Sequence, residues 1–107
     1  MRYLMMSKAS DTTPDEKLYF EMGKFIEEMT AAGVLLATGG LEPGGVRLVS
    51  VGDEITVTDG PFAEAKEAVA GFALVEVRSK EEAIELARRF RKIVGDGESV
   101  IQQVFGP

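Results

Sequence analysis

One succession of patterns occurs twice in this 107-residue chain and constrains its fold most: an apolar run, an amphipathic helical stripe and a second apolar run. Two strand–helix–strand units of this kind predict a sheet that carries its helices on one face. The length is that of one ordinary domain, and an apolar content of 45% is enough to form a core without cross-links. A single domain over residues 1–107 is therefore expected.

The first unit opens with the apolar run Tyr3–Met6, which predicts a buried strand. Thr13 and Glu16 match a capping box with Pro14 at the first helical position, and Gly33 stands where a helix C-terminus commonly has a glycine. The apolar stripe of the helix between them consists of Leu18, Met22, Phe25, Ile26 and Met29.

The middle of the chain predicts a strand and a hairpin. Val34–Ala37 is a short apolar run, and the segment 38–40 (Thr-Gly-Gly) is expected to end that strand. Two β-rich runs then flank Gly52 and Asp53, a dipeptide suited to a tight hairpin turn.

The second unit begins with Phe72–Val77, a predicted core strand. Ser79 and Glu82 form a capping box, and Gly95 marks the end of the helix. The segment 99–105 predicts the last strand. The order of elements gives an α+β fold, a ferredoxin-like βαββαβ arrangement with an inserted β-hairpin and both helices on one sheet face. The helical stripe consists of Ala83, Leu86, Ala87, Phe90 and Val94.

Basic residues crowd the last turns of the second helix, where the helix dipole favours cations. Stabilisation of the helix end is the favoured interpretation, and an anion-binding patch is the alternative. The residues are Arg88, Arg89, Arg91 and Lys92.

Both faces of the predicted sheet carry apolar side chains, which a monomer would leave partly exposed. In the first strand Leu4 and Met6 alternate with Tyr3 and Met5. Such a patch is larger than a monomer usually tolerates. The sequence therefore predicts a homodimer, with two sheets facing each other under two-fold symmetry.

Composition removes several classes of function. The chain has no cysteine and no histidine, so a thiolate nucleophile, a thiolate metal site and the usual neutral-pH base are excluded. A net charge of −6 disfavours nucleic acid and anionic membrane surfaces. No apolar run reaches the roughly 20 residues of a membrane span. We expect a cytoplasmic protein with no cofactor, no metal, no nucleic-acid partner and no membrane partner.

The segment 58–67, TDGPFAEAKE, combines a turn signal with four charged side chains. Asp59 and Gly60 suit a turn, and Phe62 would anchor that turn on the core. Alternatively, Asp59 with Glu64 and Lys66 could grip a polar ligand or move a proton.

This segment closely resembles the signature of the YCII-related family, in the branch named after its D-G-P-F residues. Glu27–Val34 and Gly39–Pro43 also resemble the family pattern, and the resemblance covers essentially the whole chain. It implies a ferredoxin-like fold that dimerises through its sheets into an α+β barrel with a site in the cleft. In the founding branch of the family a histidine on the first helix and an aspartate are the proposed reactive pair, but this chain has no histidine, so that chemistry is not carried over. Met22 stands near the histidine position, and Asp59 is the acidic residue that can be carried over.

The sequence and the resemblance leave three alternative functions. The first is a dimeric small-molecule-binding domain with a cleft between the sheet and the DGPF loop, walled by Met6, Met22 and Phe62. The second is a lyase or isomerase that uses Asp59 as acid or base, with Glu64 and Lys66 orienting the substrate. In the third, the DGPF segment is purely structural.

Overall fold

The computed structural model describes residues 1–8, 14–60 and 69–106. The elements are β1 (Arg2–Lys8), α1 (Glu16–Ala31), β2 (Leu35–Gly40), β3 (Val46–Val51), β4 (Glu54–Asp59), β5 (Val69–Glu76), α2 (Lys80–Val94) and β6 (Ser99–Val104).

One four-stranded sheet forms the body of the molecule, in the order β2-β5-β1-β6, and every neighbouring pair is antiparallel. The central strands β1 and β5 each lead into a helix, and each helix leads into an outer strand. β3 and β4 pair only with each other. The predicted ferredoxin-like βαββαβ fold with an inserted hairpin is confirmed.

Direct pairing sorts the sheet side chains onto two faces, because opposed residues on antiparallel strands project to the same side. Tyr3 lies opposite Val75, and Met5 lies opposite Ala73. This side packs against both helices, and we call it the helix face. The core lies there, and its buried residues are Tyr3, Met5, Met29, Val75, Val77, Ala83 and Leu86.

The other side of the sheet, which we call the open face, is mainly apolar, and neither helix of the described residues lies on it. Val100 and Val104 are 39% and 41% exposed, and the residues between them and β5 are half-buried. The observed alternation of side chains matches the predicted one. The apolar residues of the open face are Leu4, Met6, Phe72, Leu74, Val100 and Val104.

The hairpin β3–β4 is exposed along its whole length. Gly52 has a φ of 61° while Asp53 keeps a negative φ, as in a type II′ turn, so the predicted turn is confirmed. The radius of gyration is 16.0 Å, above the roughly 13 Å of a compact 100-residue domain. One side of the hairpin is an apolar stripe, 56–63% exposed, formed by Val46, Leu48, Ile55 and Val57.

The beginning of α1 differs from the prediction. The N-cap is Asp15, whose Oδ1 accepts a hydrogen bond from the Leu18 N–H at 2.8 Å, and Glu16 is the first helical residue. Pro14 precedes the helix instead of opening it. An aspartate is as good a cap as a threonine. Capping at residue 15 satisfies the backbone N–H of Leu18, the third residue of the helix.

The other predicted helix ends are confirmed. Gly33 has a φ of 75°, and the Val34 N–H donates to the Met29 carbonyl, as in a Schellman motif. Ser79 caps α2 by accepting from the Glu82 N–H at 3.1 Å.

The ends of the strands also differ. β2 covers Leu35–Gly40 instead of ending at Ala37, so both glycines lie within the sheet, where Gly39 pairs with Phe72 and Gly40 with Gly71. Glycine is tolerated there because neighbouring backbone and ring atoms approach it closely.

Candidate functional site

A cavity of about 200 Å³ lies between the helix face of the sheet and the two helices. Its lining is apolar apart from the hydroxyl side chains of Ser7 and Thr38. An engineered apolar cavity of about 150 Å³ holds benzene, so this volume suits one substituted ring. The apolar side chains from the helices are Met22, Phe25, Ile26 and Met29 of α1 and Leu86 and Phe90 of α2.

Side-chain size falls along the helix face of the sheet, and this decrease creates the cavity. The first row across the strands contains Leu35, Val75 and Tyr3, and the second contains Thr38, Ala73, Met5 and Ile101. The third row, which we call the small-residue row, is Gly40, Gly71, Ser7 and Ser99. Because this row supplies almost no side-chain volume, the helices above it lack a packing partner.

The glycines of this region differ in what a side chain would meet. A Cβ at Gly71 would lie on the helix face, with the Gly39 carbonyl oxygen as its nearest neighbour at 3.4 Å. A Cβ at Gly39 would lie on the open face, 3.2 Å from Cε1 of Phe72. Neither glycine has a positive φ. A methyl at position 71 therefore enters the cavity. Gly39 and Phe72 also line the cavity, but a methyl at position 39 would project to the open face, on the side of Phe72.

The α1 wall of the cavity is less tightly packed than the core. Met29, near the C-terminal end of the helix, is buried, whereas Met22, Phe25 and Ile26 are half-buried. On the outer side, Arg89 of α2 donates to Oε2 of Glu28 at 2.6 Å. The Arg89 guanidinium also lies 4.9 Å from the centre of the Phe25 ring. These contacts join the two helices on the far side of the wall.

The charged groups of the residues that the structure describes lie outside the cavity. In residues 1–8, 14–60 and 69–106 no polar or charged side chain is buried, and no three acidic side chains approach each other as metal ligands would. Thr38 Oγ1 donates to the Phe72 carbonyl at 2.9 Å. Neither helix in the described part of the chain has the length and apolarity to cross a membrane. The cavity as described can bind and enclose an apolar group.

The structure places the three predicted site residues that it describes in three different parts of the fold. Met22 lines the cavity. Met6 lies on the open face, opposite Phe72 and Val100. Asp59 is exposed at the end of β4, opposite Val46.

The remaining three predicted site residues, Phe62, Glu64 and Lys66, lie outside the described residues. The predicted cleft beside the DGPF loop falls there too, so the roles of all six residues stay predictions.

Sequence reasoning missed the residues that shape the cavity. Gly71, Ser7 and Phe90 line it, but none was a site candidate. The decreasing size along one face of β5, from Val75 through Ala73 to Gly71, is the signal that could have indicated a gap. Only the register with β1 and β2 shows that small residues on three other strands enlarge it.

The fold and the cavity define a class: a ferredoxin-like α+β domain with an apolar cavity between its sheet and its helices. A family model, the YCII-related domain, matches residues 1–101. The chain belongs to the YCII-related family. An uncharacterised protein of Rhizobium meliloti (strain 1021), R00369, is 34% identical over 83 residues, which is 73% of this chain. The chain spans 56% of that protein's length.

A solved structure shares the fold. It is 5-chloro-2-hydroxyhydroquinone dehydrochlorinase (TftG) from Burkholderia phenoliruptrix AC1100, in complex with 2,5-dihydroxybenzoquinone. The alignment covers 100% of this chain and 96% of that one, with a TM-score of 0.53 and 14% sequence identity. This similarity supports the architecture of the sheet and helices.

Proposed function

We propose that the protein is a dimeric small-molecule-binding domain that holds an apolar ring compound between its sheet and α1. The observation that carries this proposal is the cavity above the small-residue row. Its apolar walls include the predicted residue Met22, and the charged side chains of the described residues stay outside it. The solved structure of TftG, a protein of the same fold, contains a ring compound, which agrees with a ring-sized ligand.

Burial of a ring is the physical basis of the binding. Each Å² of apolar surface removed from water contributes roughly 25 cal/mol. A preformed apolar cavity orders few groups on binding, so little of this gain is lost. No carboxylate, lysine or arginine of the described residues is buried, which favours binding over proton transfer within this cavity.

The test uses the probe 1-ethyl-4-fluorobenzene, whose binding is followed by fluorine NMR. The Ala73→Val variant adds two methyl groups to the cavity wall, and Ala37→Val makes the same change at an exposed position on the open face. We expect saturable binding to the wild type, weaker binding to Ala73→Val and unchanged binding to Ala37→Val. Absence of binding to the folded wild type would refute the proposal.

The dimeric part of the proposal rests on the open face. Leu74 is half-buried in the middle of the sheet, and the valines of β6 beside it are about two-fifths exposed. A second copy packed sheet against sheet would cover these groups, as well as the hairpin stripe if the hairpin crosses the partner. The same arrangement would close the predicted α+β barrel.

Light scattering after size exclusion tests this arrangement. We expect twice the monomer mass for the wild type and the monomer mass for Leu74→Glu, because a carboxylate in the centre of the interface is desolvated without a partner. Tyr19→Glu places the same charge on α1, on the other side of the sheet, at a position that is 68% exposed, and should stay dimeric. A monomeric wild type at micromolar concentration would contradict the proposal.

A further inference from the structure

One end of the cavity carries a polar chain of contacts. The Ser7 hydroxyl lines the cavity, and its Oγ lies 3.0 Å from Oγ of Ser99. Nη1 of Arg91 donates to the same Ser99 Oγ at 3.1 Å, and Nη2 donates to the Gly95 carbonyl at 2.7 Å. Two hydroxyls therefore connect a guanidinium on α2 with the cavity.

The Ser7–Ser99 contact fits either hydroxyl as donor, and the neighbouring guanidinium favours the direction in which Ser99 donates to Ser7. A guanidinium only donates, so Ser99 accepts from Arg91 and its own proton is free to go to Ser7. Ser7 then accepts, and its proton is left to donate. Within the described residues the Ser7 hydroxyl has no second hydrogen-bond partner, so the proton of that hydroxyl is available to the cavity.

The charge of Arg91 strengthens this donor. In residues 1–8, 14–60 and 69–106, Arg91 forms no ion pair with a carboxylate. Neighbouring hydrogen bonds polarise one another, and bonds from a charged donor are stronger than neutral ones. With Ser99 donating to Ser7, the Ser7 hydroxyl is a stronger hydrogen-bond donor than an isolated serine, at one end of a largely apolar cavity.

The sequence around β6 keeps the guanidinium in place. A Cβ at Gly97 would collide with Nη2 of Arg91, and Gly97 has a φ of 150°, so a glycine leaves room for the guanidinium. The guanidinium also lies 5.5 Å from the centre of the Phe90 ring, and Phe90 lines the cavity. Helix-end stabilisation, expected for this basic cluster, accounts for the bond to Gly95 but not for the one to Ser99.

We infer that Ser7, polarised by Arg91 through Ser99, orients the ligand by donating to an acceptor oxygen on its ring. The inference rests on the proposed function and adds the chemical class of the ligand: an aromatic or cyclic compound that carries a carbonyl or phenolate oxygen. An apolar wall binds the ring, and the single donor selects which end of the ring enters first.

The experiment compares two probes of equal shape, 4-fluoroacetophenone and 1-ethyl-4-fluorobenzene, by fluorine NMR titration. The two differ by a carbonyl in place of a methylene. We expect Ser7→Ala to lower the preference for the ketone by about tenfold, since a buried carbonyl then lacks a donor. Ser50→Ala, an exposed serine of the hairpin, is the matched control and should leave the preference unchanged.

Arg91→Met tests the polarisation. It should lower the ketone preference by about threefold, while Arg88→Met, which removes an exposed arginine of the same helix, should not. A role of Arg91 confined to the helix end would lower the melting temperature and leave the preference as it was, and that result would overturn the relay.

The outcomes separate the two proposals. If 1-ethyl-4-fluorobenzene fails to bind the wild type, the proposed function falls, and this inference falls with it. If that probe binds while Ser7→Ala keeps the wild-type preference, the ligand class assigned here is wrong and the apolar site stands. Binding of the apolar probe by each variant also shows that the variant is folded.

Discussion

Replacing Gly71 by alanine should make the protein more stable and its cavity less able to bind. The backbone at Gly71 has a negative φ, and the added Cβ would have its nearest contact at 3.4 Å. An alanine that fits without strain stabilises a protein by about 0.4–1 kcal/mol, because the unfolded chain loses conformational freedom. For a domain of this size 1 kcal/mol corresponds to roughly 4–8 °C in melting temperature. We therefore expect a rise of about 2–8 °C by differential scanning calorimetry.

The binding of 1-ethyl-4-fluorobenzene should change in the opposite direction. The new methyl occupies space in the cavity, and overfilling an apolar site costs about 1–3 kcal/mol. The dissociation constant should therefore rise at least fivefold. Gly23→Ala on α1 is the matched control, since Gly23 is exposed, does not line the cavity and has nothing within 4 Å of an added Cβ. A less stable Gly71→Ala protein, or one that binds the probe as the wild type does, would refute the assignment of the small-residue row as the cavity floor.

Three further predictions test the fold and the predicted role of Asp59. Gly33→Ala should destabilise the protein by about 1–2 kcal/mol in urea denaturation, because a φ of 75° disfavours a side chain; no loss would argue against the Schellman motif. Asp15→Ala should cost about 1 kcal/mol in the same assay through loss of the α1 cap, and Asp53→Ala in the hairpin turn serves as the control. Asp59→Asn should leave the binding of both fluorinated probes unchanged, since Asp59 is exposed; loss of binding would instead favour the predicted role of Asp59 in a site.

Local signals account for the parts of the fold that were predictable. The helical stripe that contains Met22 and Met29 fixes the inner side of α1, and Gly33 fixes its end, because each depends on a few neighbouring residues. The predicted beginning of α1 was wrong because it, too, was inferred from a few neighbouring residues. Thr13 and Asp15 are both acceptable caps two residues apart, and only the observed bond from the Leu18 N–H to Asp15 decides between them.

The site was less predictable because it depends on register across four strands. Gly39 and Gly40 suggested the end of β2, yet both lie inside the strand, and Gly40 pairs with Gly71. That misreading concealed the small-residue row. Met22 was a candidate through its position in the family pattern, not through its chemistry, and its role in a site stays a prediction. The relay from Arg91 to Ser7 joins residues 84 positions apart along the chain, which no short motif indicates.

The two proposed activities occupy opposite faces of the same four strands, and this arrangement lets adjacent residues have different roles. Ala73 lines the cavity on the helix face, while its neighbour Leu74 lies on the open face. Since successive strand residues point to opposite sides, a change at position 73 should alter probe binding without changing the mass in solution. A change at position 74 should alter the mass in solution before it alters probe binding. Binding that failed equally in both variants would mean that the cavity depends on the dimer, and ligand and partner would then be linked through the sheet itself.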